Sequence, residues 1–133
     1  MLRMNFIIPG RPLSGNTLYK VARGGHIYLT PEAKRYKDEA KPFVLDAYTP
    51  KTYRGGVLTL RLDVVDDWYY KNGEVRRIDA DNLIKLVQDA VFQHLDLDDS
   101  LVFEASVRKV QDKGVLPHVR VRVNEVPGGH RAA

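Results

Sequence analysis

The chain has 133 residues, 44% of them hydrophobic and 29% charged, the size and balance of one domain able to bury its own core. It has no cysteine, which excludes a disulfide scaffold and any thiolate metal site and fits a reducing compartment. No apolar run approaches the roughly 20 residues of a membrane span. The opening Met1-Leu2-Arg3-Met4-Asn5 lacks a secretory signal pattern, so the expected location is the cytoplasm. The net charge of +4 is unevenly spread. Residues 79–99 hold six aspartates against one lysine, a net of −5, which leaves the rest of the chain at +9. A basic body around one acidic block suits either a polyanion binder that holds a divalent cation or an ordinary basic protein with one acidic helix and loop.

Met4 to Ile8 reads as a first strand, stopped by Pro9-Gly10. Arg11 to Asn16 is loop chemistry, and His26 to Leu29 a short extended piece. Thr30-Pro31-Glu32 is a helix start: N-cap, proline at the first helical position, acid in the first turn. Ala33, Tyr36, Ala40, Phe43, Val44 and Ala47 then recur at near-helical spacing, with Lys34, Arg35, Lys37 and Lys41 as a basic face. Pro42 is expected to kink or split this helix. Leu58, Leu60, Leu62 and Val64 alternate with Thr59, Arg61 and Asp63 as a half-buried strand. Tyr69 to Glu74, with Asn72-Gly73 inside, is a loop or hairpin turn, and Val75 to Ile78 is short and extended.

Asn82 to about His94 is the clearest helix, with Leu83, Val87, Ala90 and Val91 as its apolar face and Ile84 and Leu95 at the margins. Asp96 to Ser100 is a turn, and Leu101 to Val110 a strand with Leu101, Phe103, Ala105 and Val107 on one face. Asp112-Lys113-Gly114 turns the chain into a last strand, where Val119, Val121 and Val123 alternate with Arg120, Arg122 and Asn124. The resulting expectation is a single α+β domain over residues 1–126, with two main helices on a mixed or antiparallel sheet and a disordered tail over 127–133.

The informative stretch is Arg76-Arg77-Ile78-Asp79-Ala80-Asp81-Asn82-Leu83-Ile84-Lys85, then Asp89-Ala90 and Asp98-Asp99. Asp79 and Asp81, two apart in an extended segment, point to one side. Lys85 lies one helical turn past Asp81, and Asp89 one turn further. Converging carboxylates repel unless a cation sits between them. Oxygen donors without cysteine suit Mg²⁺ or Mn²⁺ rather than zinc. Such an ion, with Lys85 holding a phosphate or stabilising developing charge, is what phosphodiester cleavage needs.

Blander readings of the same residues stay open. Asp81 could serve only as a helix N-cap. Lys85–Asp89 could be an exposed pair of little consequence. Asp96, Asp98 and Asp99 could be a solvated turn, and His94 a surface or capping histidine. Arg76 and Arg77 could be plain exposed bases, although beside an acidic cluster phosphate contacts are the better reading. An EF-hand fails, because Leu83 falls where an oxygen ligand is required and no loop glycine follows. A haloacid-dehalogenase-like phosphatase needs a longer doubly wound domain than this chain supplies.

The central run resembles the RusA family of Holliday-junction resolvases, whose pattern is an arginine-rich approach, Asp-x-Asp-Asn-Leu-x-Lys, Asp-Ala on the helix, then Asp-Asp before a strand. Ile8-Pro9-Gly10-Arg11-Pro12 is similar to the family's opening strand and loop. The resemblance extends to about Val126. It implies a homodimeric α/β nuclease that needs Mg²⁺, with Mn²⁺ able to substitute, and that makes paired symmetric nicks in four-way DNA junctions. It also implies that Asp79, Asp81 and Asp99 bind the metal and that Lys85 is the catalytic lysine. Asp98 would be a helper, and the choice between Asp98 and Asp99 stays open. Arg76, Arg77, Arg11, Lys34 and Lys37 would neutralise DNA phosphates, and a bacteriophage or prophage setting follows by analogy. The competing expectation is a catalytically silent module that binds DNA junctions.

Overall fold

Valines at 119, 121 and 123 alternate with Arg120, Arg122 and Asn124, and this period of two gives a strand one valine-lined face and one basic face. The computed structural model describes residues 1–15 and 18–127; Asn16 and the tail beyond Pro127 lie outside the described residues. In chain order the elements are β1 (Arg3–Pro9), β2 (Tyr19–Val21), β3 (Ile27–Leu29), α1 (Pro31–Ala47), β4 (Leu58–Asp66), α2 (Ile84–Phe92), β5 (Val102–Gln111) and β6 (His118–Glu125). Short 3₁₀ turns occupy Pro50–Thr52, Ala80–Leu83 and Asp99–Leu101. β2 and β3 form a separate two-stranded ribbon.

The main sheet has the order β1-β6-β4-β5. β6 is antiparallel to both β1 and β4, and β4 is parallel to β5. This is the expected α+β class, with a mixed sheet and two helices. Leu58, Leu60, Leu62 and Val64 of β4 and the three β6 valines face a single core with Met4 and Ile8 of β1. Ala33, Tyr36, Ala40 and Val44 of α1 and Leu86, Val87, Ala90 and Val91 of α2 cover them. A leucine or valine buried this completely stabilises the fold by about 1.5–3 kcal/mol.

Three expectations change. Pro42 does not split α1, which runs unbroken from Pro31 to Ala47; Pro42 and Asp38 are both exposed, so the missing hydrogen bond lies on the side where water can replace it. The turn at Asp112-Lys113-Gly114 does not lead β5 into a neighbouring last strand, because β4 lies between β5 and β6 and residues 112–117 cross its end. The apolar face read as Leu101, Phe103, Ala105 and Val107 is also wrong in part. A bulge between Leu58 and Thr59 pairs Leu58 with Val102 and Thr59 with Glu104, so Phe103 falls out of the alternation and is 75% exposed.

The face away from the helices carries Arg61, Arg108, Arg120 and Arg122 around the buried Asp63. Arg108 donates to both carboxylate oxygens of Asp63, at 2.7 and 3.2 Å, and Arg122 lies 3.5 Å away. Those bonds, opposed by burial, hold Asp63 below the usual carboxylate range.

At the other end of the sheet Glu125 ties three segments together. Its buried carboxylate accepts from the backbone N–H groups of Leu2, Arg54 and Gly56, at 3.0, 3.0 and 2.9 Å. A Cβ on Gly56 would meet that carboxylate at 2.7 Å, so the close approach requires glycine. Burial pushes the Glu125 carboxyl up, but the three N–H bonds outweigh it and hold it below its ordinary 4.5. A lowered folded-state value adds stability above the unfolded value that disappears as pH falls. Glu125→Ala should therefore lose about 3 kcal/mol in urea unfolding at pH 7, and the gap to the parent protein should shrink below pH 4.5. An unchanged gap at low pH would contradict this origin.

Tyr36 is buried with a hydroxyl that has no hydrogen-bond partner among the described residues, and burial pushes that hydroxyl's pKa up. Tyr36→Phe should raise stability by about 1 kcal/mol, read as a higher urea midpoint at unchanged slope.

Candidate active site

β4 and β5 run the same way, so the chain between them must return along the sheet. That return, residues 67–101, carries every acidic candidate, and it begins with a well-tethered corner. Asp66 is buried at the end of β4, ion-paired with Arg11. Trp68 follows, also buried, its backbone N–H donating to Gln111 Oε1 at 2.6 Å and its indole N–H to Val64 O at 3.2 Å. The Lys109 ammonium lies 4.7 Å from the indole centroid and the Arg11 guanidinium 5.9 Å. Tyr69 and Val75 then pair across the Asn72-Gly73 turn, where Gly73 has φ +86°. The expected hairpin turn is present.

The approach to the acidic motif is pinned next. Arg76 N–H donates to Trp68 O at 2.7 Å. Lys109 Nζ donates to Arg76 O at 3.3 Å and to Ile78 O at 2.9 Å. The Arg76 guanidinium stacks 5.3 Å from the Tyr70 ring centroid, and its buried Nε has no partner among the described residues. Arg77 is exposed.

Asp79 has extended backbone, and Ala80–Leu83 turns as a 3₁₀ helix before α2 begins. The α-helix itself therefore starts later and stops earlier than the predicted span of Asn82 to His94, with the 3₁₀ turn in front of it. Asp79 and Asp81 are both exposed. Neither carboxylate caps: Asp79 stands at the cap of the 3₁₀ turn without a side-chain bond, and Leu83 stands at the cap of α2. The capping role considered for Asp81 is not realised. Leu83, Val87, Ala90 and Val91 are fully buried, as their spacing predicts, and Leu86, Phe92 and Leu95 join them. His94 donates from Nε2 to Lys37 O at 2.9 Å, which fastens the end of α2 to α1.

Lys85 Nζ lies 3.2 Å from Asp89 Oδ1. The Asp89 carboxylate holds the Lys85 ammonium above the ordinary lysine value of 10.5; partial desolvation opposes it, and Tyr19 and Asp99 add to it. Lys85 is thus a cation, not a base, at neutral pH. Asp99 and Asp89 line one open groove with Lys37, Phe92, Gln93 and Leu97. Asp98 caps the 3₁₀ turn, accepting from Ser100 N–H at 2.9 Å. That bond, the Ser100 hydroxyl and the Asp99 carboxyl hold Asp98 below the usual range.

The candidates are arranged around α2. Asp79 and Asp81 precede its first turn; Asp99 lies beside Asp89 and faces the Lys85 charge. Among the described residues no three acidic or histidine side chains converge closely enough to hold a metal ion. Of the basic candidates, Arg11 is committed to Asp66 and Trp68, Lys34 is exposed on α1, and Lys37 is half-buried in the groove with Asp99. Sequence reading missed Trp68 and Lys109. The only available hint was a lysine on the side of β5 that pairs with core residues of β4.

The fold is a small α+β domain that carries exposed carboxylates and a lysine about the start of a helix. The sequence model of the family described as Endodeoxyribonuclease RusA matches residues 9–124, and the chain belongs to that family. Membership makes it a DNA-cleaving nuclease and implies Holliday-junction resolution. No curated protein matches the chain. Among the described residues no helix is long and apolar enough to cross a membrane.

Asp89→Asn should bring the Lys85 pKa back toward 10.5, measurable by NMR titration of the lysine side-chain signals. Global stability should hardly change, since an exposed i,i+4 pair contributes only about 0.3–0.5 kcal/mol. An unmoved Lys85 titration would show that Asp89 does not hold the ammonium.

Proposed function

We propose that the chain is a Mg²⁺-dependent, structure-selective endonuclease that resolves four-way DNA junctions by paired symmetric nicks, working as a homodimer. The observation that carries this reading is a pair of exposed carboxylates, Asp79 and Asp81, neither engaged in capping, one turn before a charged lysine, in a chain that matches the RusA family over residues 9–124.

The donor set fits a hard divalent ion. Asp79 and Asp81 supply oxygen only, and Mg²⁺ commonly binds through one or two carboxylates plus a substrate phosphate. Asp99 would complete the set and Asp98 would support it from the turn. The ion, when bound, supplies a more acidic water and offsets charge on the scissile phosphate. The chain's own residues do the rest. Lys85, kept protonated by Asp89, holds a non-bridging phosphate oxygen and stabilises charge that develops there. Arg76 and Arg77 at the approach, with Lys34 and Lys37, neutralise flanking phosphates, so binding weakens steeply with salt; Arg11, held by Asp66, is left out of that set.

A four-way junction is roughly two-fold symmetric. A C₂ dimer would bring two copies of this site to matching strands, which is the geometry paired nicking requires.

Asp79→Asn and Asp81→Asn should each lower junction cleavage by at least about 100-fold, with junction binding retained or tightened as carboxylate–phosphate repulsion falls. Mg²⁺ or Mn²⁺ should support cleavage, and Ca²⁺ should not. The decisive assay compares a synthetic four-way junction with linear duplex, with and without Mg²⁺, using protein of measured oligomeric mass. Junction binding indifferent to Mg²⁺, with no cleavage at any metal concentration, would instead identify a silent junction-binding module. Full activity in EDTA would eliminate the metal mechanism.

A further inference from the structure

We propose that Lys109 is a positioning residue for the acidic motif: from β5 its ammonium grips the carbonyls of Arg76 and Ile78 and so fixes where Asp79 and Asp81 stand. What this means for metal binding rests on the function proposed above; the grip itself does not.

Lys109 pairs with Val64 in the β4–β5 register, in line with Ala105 opposite Leu60 and Val107 opposite Leu62. That side of β4 is core. A lysine there is costly unless its ammonium is satisfied. The ammonium meets Ile78 O at 2.9 Å, Arg76 O at 3.3 Å and the indole of Trp68 at 4.7 Å. None of the salt bridges among the described residues involves it. Its donors are thus directed at the backbone just before Asp79, not at a charge partner.

That backbone has few other tethers. Arg76 N–H reaches Trp68 O, Ile78 N–H turns back on Arg76 O, and Asn82 N–H reaches Asp79 O. Only the Arg76–Trp68 bond among these leaves the segment. Among the described residues, the bond from Lys109 to Ile78 O ties residues 77–79 to the main sheet. The other end of the device is firm: Trp68, on which the ammonium rests, is buried and bonded to Val64 and Gln111. A methionine would fill the same space without a donor. The amine therefore adds one thing the core does not need, which is a fixed position for the segment carrying the two carboxylates.

The test compares the parent protein with Lys109→Met, which keeps the stem and loses the donors, and Lys109→Arg, which restores them. Arg108→Met, on the opposite face of the same strand, breaks the bond to Asp63 and controls for general destabilisation; Lys109→Gln replaces Lys109→Met if the latter does not fold. Two quantities are read without DNA: hydrogen exchange of amides 76–83, and Mn²⁺ affinity by calorimetry. Lys109→Met should speed exchange in 76–83 while leaving β4 and β6 protected, and should weaken Mn²⁺ binding about tenfold, the usual scale for loss of an outer-sphere support. Lys109→Arg should recover both in large part, and Arg108→Met should change neither. Unchanged exchange in Lys109→Met overturns the proposal, as does equal acceleration in Arg108→Met. If the parent protein takes up no Mn²⁺, the metal reading fails, and the exchange pattern alone still decides whether Lys109 holds the segment.

Discussion

Parallel pairing of β4 with β5 is the constraint from which the site follows. Two neighbouring strands that run the same way cannot be joined by a tight turn, so the chain after Asp66 has to travel back before Val102 can begin β5. The connection contains Trp68, the Asn72-Gly73 turn, the acidic motif, α2 and the Asp98-Asp99 turn in sequence. Its apolar residues, from Leu83 to Leu95, bury themselves against the core. Its polar ones are left on the surface around α2. The crossover thereby acts as both structural link and chemical site.

The two ends of that crossover are held differently. The outgoing end is tethered by side chains: Trp68 to Val64 and Gln111, Arg11 to Asp66, Lys109 to the Arg76 and Ile78 carbonyls. The returning end is held by a helix that packs on α1, by His94 on the Lys37 carbonyl, and by the Asp98 cap. Asp79 and Asp81 belong to the first anchorage and Asp99 to the second. Lys85 stands between them, hydrogen-bonded to Asp89 and within the electrostatic reach of Asp99.

Charge is organised on a larger scale in the same way. Buried acids are matched, Asp63 by arginines, Asp66 by Arg11 and Glu125 by backbone N–H groups. These pairs use acidic and basic side chains for structure alone, and they show that acidity in this chain is not in itself a mark of chemistry. Asp79 and Asp81 differ because they are exposed and take no part in capping.

Much of this was legible in the residues themselves. Alternation in β4 and β6, the Thr30-Pro31 start of α1, the turn at Asn72-Gly73 and the apolar face of α2 all depend on neighbours within a few positions, and local periodicity reports them directly. The motif from Arg76 to Lys85 likewise carries its order and spacing in the chain. Tertiary structure decided what local pattern cannot encode. It inserted β4 between β5 and β6, expelled Phe103 at a bulge, kept α1 whole through Pro42, and set Asp99 on one groove with Asp89. It also brought Lys109 onto carbonyls some thirty residues away in sequence. Those outcomes depend on which strand pairs with which and on where solvent lies, and both are fixed only when the distant halves of the chain meet.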